Sequence, residues 1–155
     1  MRLLAACLLG LFLGVLAGCA TDSKSNQVSS VASQLMHREA QDAYDQGDDV
    51  RAEQLYKKLT TMGSQDAETW FRLGNIYART KKPQIAQEAY LKSLALKDTD
   101  PRTWNNLGIV MLRQAWLAMV QAKIISEAGD PAFENTAVII KTLETLPAIA
   151  SEKNK

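Results

Sequence analysis

One histidine, two cysteines and a cluster of three aspartates are the side chains of this 155-residue chain best suited to chemistry. Histidine is the usual proton shuttle near neutral pH, but it works with a partner that orients it. His37 is the single histidine, so there is no histidine-based metal cluster and no choice of base for a Ser-His-Asp arrangement. It reads as a surface residue of a first helix. Asp45, Asp48 and Asp49 could suggest a calcium loop. Such a loop needs a following glycine and a distal glutamate at fixed spacing, and both are missing. A turn, with an aspartate capping the next helix, suits the three better. No glycine-rich phosphate loop is present, because Leu73-Gly74-Asn75 and Leu107-Gly108-Ile109 are positions of a repeat. The chain is therefore expected to be no enzyme and to hold no metal or cofactor.

The cysteines sit where export chemistry happens. Residues 1–18 carry one charge, Arg2, then the apolar run Leu3 to Ala17. That run is short for a membrane-spanning helix. A basic tip, a short apolar stretch and small residues at its end describe an export signal. Leu16-Ala17-Gly18-Cys19 resembles the lipobox of bacterial lipoproteins. The resemblance implies removal of residues 1–18 and a lipid thioether on Cys19, followed by acylation of its freed amine. Two or three acyl chains anchor firmly where one does not. An ordinary signal peptide with a chance cysteine, or an uncleaved anchor, is the alternative. Cys7 would leave with the signal, so the mature chain would have no free thiol and no disulfide. Ala20 rather than Asp follows the cysteine, which in that family implies sorting to the outer membrane, facing the periplasm. Asp22, two places on, weighs slightly against it.

The composition of the whole chain is that of a folded protein, with 46% hydrophobic and 23% charged residues, and its length is enough for one domain. Without Arg2, 17 basic side chains face 17 acidic ones. That balance offers nothing to nucleic acid or to an anionic membrane surface. Residues 19–33 run CATDSKSNQVSSVAS, rich in serine and free of aromatics. They read as the lipidated cysteine and a flexible tether, able to reach about 45–50 Å when extended and roughly 20 Å on average.

From Gln34 the pattern is helical and repeats. A shift of 34 residues brings Ala52 onto Ala86, Tyr56 onto Tyr90 and Asp66 onto Asp100. It also brings Trp70 onto Trp104, Leu73 onto Leu107 and Gly74 onto Gly108. This order at this period resembles the tetratricopeptide repeat, with the unit from Ala67 to Asp100 fitting best. The resemblance implies an all-α fold: a short tetratricopeptide-repeat α-solenoid of about two and a half repeats, spanning residues 34–147. Each unit is a helix pair whose apolar face is too small to stand alone and is buried by stacking. Ala40, Gly74 and Gly108 share a position where helices approach closely, as do Ala52 and Ala86, and a bulky side chain at Gly74 or Ala86 would overpack the core. Trp70 and Trp104 are expected to fill the space between the helices.

Turn chemistry places helices near 34–46, 49–62, 66–80 and 83–97, and from 101 onward. The first unit departs from the family pattern, with Met36 for Trp, Glu39 for Leu and Ala43 for Tyr, as suits a terminal unit with a solvated face. The third unit has lost its turn: no Gly, Pro or Asp follows Leu112 until Gly129. One long helix of roughly 40 Å from about Arg102 to Ala128 is therefore expected. A C-terminal capping helix should start at Asp130-Pro131 and stop before Pro147. Phe133, Ala137, Ile140, Leu143 and Leu146 would cover the open end of the stack, and residues 148–155 should fray. Trp116, Met119 and Val120 are excess apolar surface on the long helix unless that last helix covers them, and would otherwise permit a dimer.

In the repeat family the first helix of each unit lines a concave groove. That register assigns Arg72, Asn75 and Arg79 to the groove, with Arg102, Asn105, Asn106 and Arg113 from the third unit. The first unit would add His37, Arg38 and Gln41. Arg and Asn together can hold a peptide carboxylate or an extended backbone. Some tetratricopeptide domains grip a C-terminal carboxylate with Lys, Asn and Arg; here no Lys falls on a groove position. A solvated polar face is the plain alternative. The resemblance to lipoproteins that serve pilus assembly, secretin rings and exopolysaccharide export implies a scaffold with a protein or peptide partner. A docking factor for cell-wall enzymes is the second reading, and an enzyme the last.

Overall fold

The computed structural model describes residues 22–63, 65–127, 131–147 and 149. The expected signal, Cys19 and residues 151–155 of the expected tail lie outside the described residues, whereas Ile149, expected to fray with that tail, is fully buried and its N–H donates to Leu146 O at 2.9 Å. Six helices follow in order: α1 Asp22–Asp45, α2 Asp49–Thr61, α3 Ala67–Arg79, α4 Pro83–Leu96, α5 Pro101–Ile125 and α6 Pro131–Leu143. Each packs mainly on its neighbours in sequence, α1 on α2 through to α5 on α6, with α3 also touching α5. Nearest-neighbour packing is what makes a helical solenoid.

The helix starts are chemical. Asp48, Asp66 and Asp100 each turn a carboxylate onto the exposed N–H groups of α2, α3 and α5. The two turns inside the hairpins are the same turn, 34 residues apart. Asp48 N donates to Ala43 O at 2.9 Å, and Lys82 N to Tyr77 O at 2.9 Å. Both turns need a residue in the left-handed region: Gly47 at φ 75° and Lys81 at φ 58°. Lysine there carries strain on the order of 1 kcal/mol that glycine avoids. The next position in this series is Ala115, where the chain stays helical and α5 runs on to Ile125.

The core joins the first two units. Ala52 and Ala86 are fully buried, as are Tyr56, Leu59 and Ile76, and Leu73 and Tyr90 nearly so. A side chain on Gly74 would place its first carbon 2.4 Å from Cε1 of Tyr90, so only glycine lets α3 lie against α4.

Three expectations need correction. The stretch from 22 to 33, expected as a flexible tether, is helical and belongs to α1. It has no Pro or Gly to stop a helix that the packing of Met36, Ala40 and Ala43 has already nucleated. Trp104, expected between helices, is 54% exposed. The second helix that would cover it does not fold back, and its indole donates instead to Asp98 O at 2.7 Å. Trp70 keeps the expected place, half-buried against the core and under the Lys92 ammonium at 4.4 Å. The capping helix covers less than expected among its described side chains, which do not include Phe133. Ile140 is buried and Ala137 and Leu143 half-buried, but Leu146 is exposed and α6 already ends at Leu143.

Candidate functional site: a polar groove built on Asn75

The first helices of successive units, α1, α3 and α5, line one face of the stack. A groove there is bounded by Tyr44, Asn75, Arg79, Tyr90, Asn106 and Arg113, floored by Ala78, Ile109 and Val110. Asn75 is its hub. Its amide donates to Tyr44 Oη at 3.0 Å, and its carbonyl accepts from Tyr90 Oη at 2.8 Å and from Asn106 Nδ2 at 2.9 Å. One side chain thus ties all three units together.

The support repeats. Tyr56 Oη donates to Gln41 Oε1 at 3.1 Å, fifteen residues back, as Tyr90 Oη donates to Asn75 fifteen residues back. In each hairpin a buried tyrosine of the second helix fixes a polar residue of the first: Asn75 lines the groove, whereas Gln41, also assigned to it from the sequence, does not. Burial pushes the phenols of Tyr56 and Tyr90 up to about 12, and raises that of Tyr77 as well. A folded pKa above the ordinary 10 stabilises the fold fully below pH 10, and that stability drains away as pH rises toward 12. Denaturant midpoints measured from pH 8 to 12 should therefore hold steady to pH 10 and then fall. Tyr90→Phe should remove part of that slope.

The assigned groove residues divide into two groups. Asn75, Arg79, Asn106 and Arg113 line the groove together. Arg72 and Arg102 belong to a carboxylate network beside it. Arg72 Nε lies 2.9 Å from Glu68 Oε1, an ion pair not aligned as a hydrogen bond. Arg102 donates to Glu68 Oε2 at 2.7 Å and to Asp100 Oδ2 at 2.6 Å. The Arg102 hydrogen bonds hold the Asp100 carboxyl down at about 2 and push the guanidinium further up. Arg38 and Asn105 do not line the groove; both are exposed, and Asn105 donates to Asn106 Oδ1 at 3.2 Å. His37, on α1, stands 3.6 Å from Asp66 at the start of α3 and edge-on to the Tyr56 ring of α2.

Tyr44 was not singled out from the sequence. The guanidinium carbons of Arg72 and Arg79 lie 4.6 and 4.4 Å from its ring centroid, which makes it a wall of the groove. Burial is the largest influence on the Arg79 guanidinium and would lower it, but hydrogen bonding and charge from Asp49 and Tyr44 together outweigh this and raise it. Asp45, Asp48 and Asp49 are spent on Gln41, the α2 cap and Arg79 respectively. Among the described residues no cluster of His, Cys, Asp or Glu could hold a metal ion.

Fold and groove together define a short tetratricopeptide-type α-solenoid, a class of helical stack that binds protein partners. Residues 67–100 match the tetratricopeptide-repeat family, from the start of α3 to the cap of α5. A 61-residue stretch, 39% of the chain, is 34% identical to the protein O-mannosyl-transferase TMTC3 of Mus musculus. The chain spans 7% of that protein's length.

Proposed function

We propose that the chain is a non-catalytic adaptor, anchored by acylated Cys19 to the periplasmic face of a bacterial outer membrane, whose groove holds an extended segment of a partner protein. A secretin or pilus subunit is the partner class in this reading, and assembly of that machine the task. The observation that carries it is the Asn75 hub. Asn75 and Asn106 are fixed by their neighbours in positions where their remaining amide hydrogens can meet a peptide backbone. Arg72, Arg79 and Arg102 are already compensated by Glu68, Asp49 and Asp100. That pairing favours a main chain over a lone terminal carboxylate as the ligand.

A photo-crosslinking amino acid at Ile109 in the groove, compared with one at Lys57 on α2, tests this in the bacterial envelope. Discrete protein adducts are expected at 109 and not at 57, on a chain that carries fatty acid at Cys19. Asn106→Ala with Arg113→Glu should cut those adducts about tenfold, the loss of roughly one or two good hydrogen bonds, with helix content unchanged. Equal adducts at both positions would remove the groove from the account, and a chain without fatty acid would remove the anchor.

A further inference from the structure

The third unit keeps the signature of a first helix without the helix that signature serves. In the second unit the ring of Tyr90 closes on Gly74. In the third, no described residue comes within 4 Å of the equivalent point on Gly108, which is half-buried. Trp104 and Met111, one turn to either side, are 54% and 50% exposed. The open face does not end there. Ala115 and Ala118 are exposed, Ala122 is half-buried, and Ile125 is 74% exposed. Trp104, Gly108, Met111, Ala115, Ala118, Ala122 and Ile125 follow at alternating steps of four and three. That is the seam of a helix made to pair lengthwise with another helix.

Among the described residues no element fills it. α6 packs on α5, and Trp116, Met119 and Val120 are half-buried, but those residues lie to one side of the seam. α5 is the one described helix long and apolar enough to cross a membrane, and hardly any of that apolar stretch is buried within the chain.

We infer that α5 pairs antiparallel with α5 of a second copy of this chain, about a two-fold axis at Ala115. The seam fits itself when reversed. Trp104 falls opposite Ile125, Gly108 opposite Ala122, Met111 opposite Ala118, and Ala115 opposite itself. Each of the first and third pairings sets a bulky side chain against a smaller one, and the small pairs between them let the backbones approach. Charge agrees. α5 holds no acidic residue, and its cations, Arg102, Arg113 and Lys123, lie off the seam, so two copies meet without like charges facing across it. A two-fold contact needs this self-complementarity, because the same patch serves both partners. The surface is separate from the Asn75 groove, so pairing would display two grooves.

The test uses the full chain expressed in cells, with Ala115→Cys and a short thiol crosslinker. Lys57→Cys and the wild type, which share Cys7 and Cys19, give the background. A species of twice the mass is expected from Ala115→Cys alone. Differently tagged Gly108→Cys and Ala122→Cys chains should crosslink to each other more than either does to itself. Met111→Glu, at an exposed site, should cut the Ala115→Cys product by about tenfold or more by burying a charge in the seam, with helix content kept. No product above the Lys57→Cys background would overturn the pairing, including the case where Ala115→Cys is shielded by lipid from a water-soluble maleimide. Strong Gly108→Cys self-crosslinking, as in parallel pairing, or insensitivity to Met111→Glu, would overturn it too.

Discussion

Tyr90→Ala should cost about 3–5 kcal/mol in urea unfolding, the range for removing a large buried aromatic. Domains of this size have about 5–15 kcal/mol in all, so the variant should be close to unfolding at 37 °C. The ring is 1% exposed and fills the space against Gly74 and Phe71. Its hydroxyl also fixes Asn75, so binding in the groove should fail together with stability. Tyr90→Phe separates the two effects. It keeps the ring and removes one hydrogen bond, costing about 0.5–1.5 kcal/mol, while Asn75 still accepts from Asn106. Partner capture should fall more in Tyr90→Phe than this modest loss of stability explains. Capture as strong as wild type would mean that the phenol is core packing alone.

The sequence was most informative where one residue type has one use. The 34-residue step found the close approach at Gly74, the buried pair Ala52 and Ala86, and the Asp caps, because each is forced by helix geometry. It also marked the missing turn after Leu112, and α5 does run through. What it could not show depends on whether a partner element is present. Trp104 carries the same letter as Trp70, yet it is exposed because the helix that would bury it is absent. The groove was legible in part. Position along the repeat identified Asn75, Arg79, Asn106 and Arg113, but not which arginines their own carboxylates compensate, since Glu68 reaches Arg102 only through the stacking of α3 on α5. Tyr56 and Tyr90 stand out in the sequence only as a repeated position. The fifteen-residue step from each back to Gln41 and Asn75, repeated at 34, was the signal that their hydroxyls reach polar side chains of the preceding helix, in the second unit at the groove itself. The serine-rich stretch before Gln34 misled because composition weighs burial, whereas a helix already nucleated extends at little cost.

The account turns on a closed second hairpin that holds the groove and a third unit left open, and a pair of glycine substitutions measures that difference. Gly74→Ala sets a carbon 2.4 Å from Cε1 and 2.5 Å from Cδ1 of a ring that cannot withdraw, because its hydroxyl is bonded to Asn75. Overpacking of this kind costs about 1–3 kcal/mol. Gly108→Ala, in the middle of α5, meets no described atom of its own chain within 4 Å, and in dilute solution, where copies of the chain stay apart, it should gain about 0.5–1 kcal/mol from the better helix former. Urea midpoints of the two variants beside wild type should move in opposite directions. A loss of stability in both would mean that the third unit is as closed as the second, and no loss in Gly74→Ala would contradict the hairpin on which the groove stands.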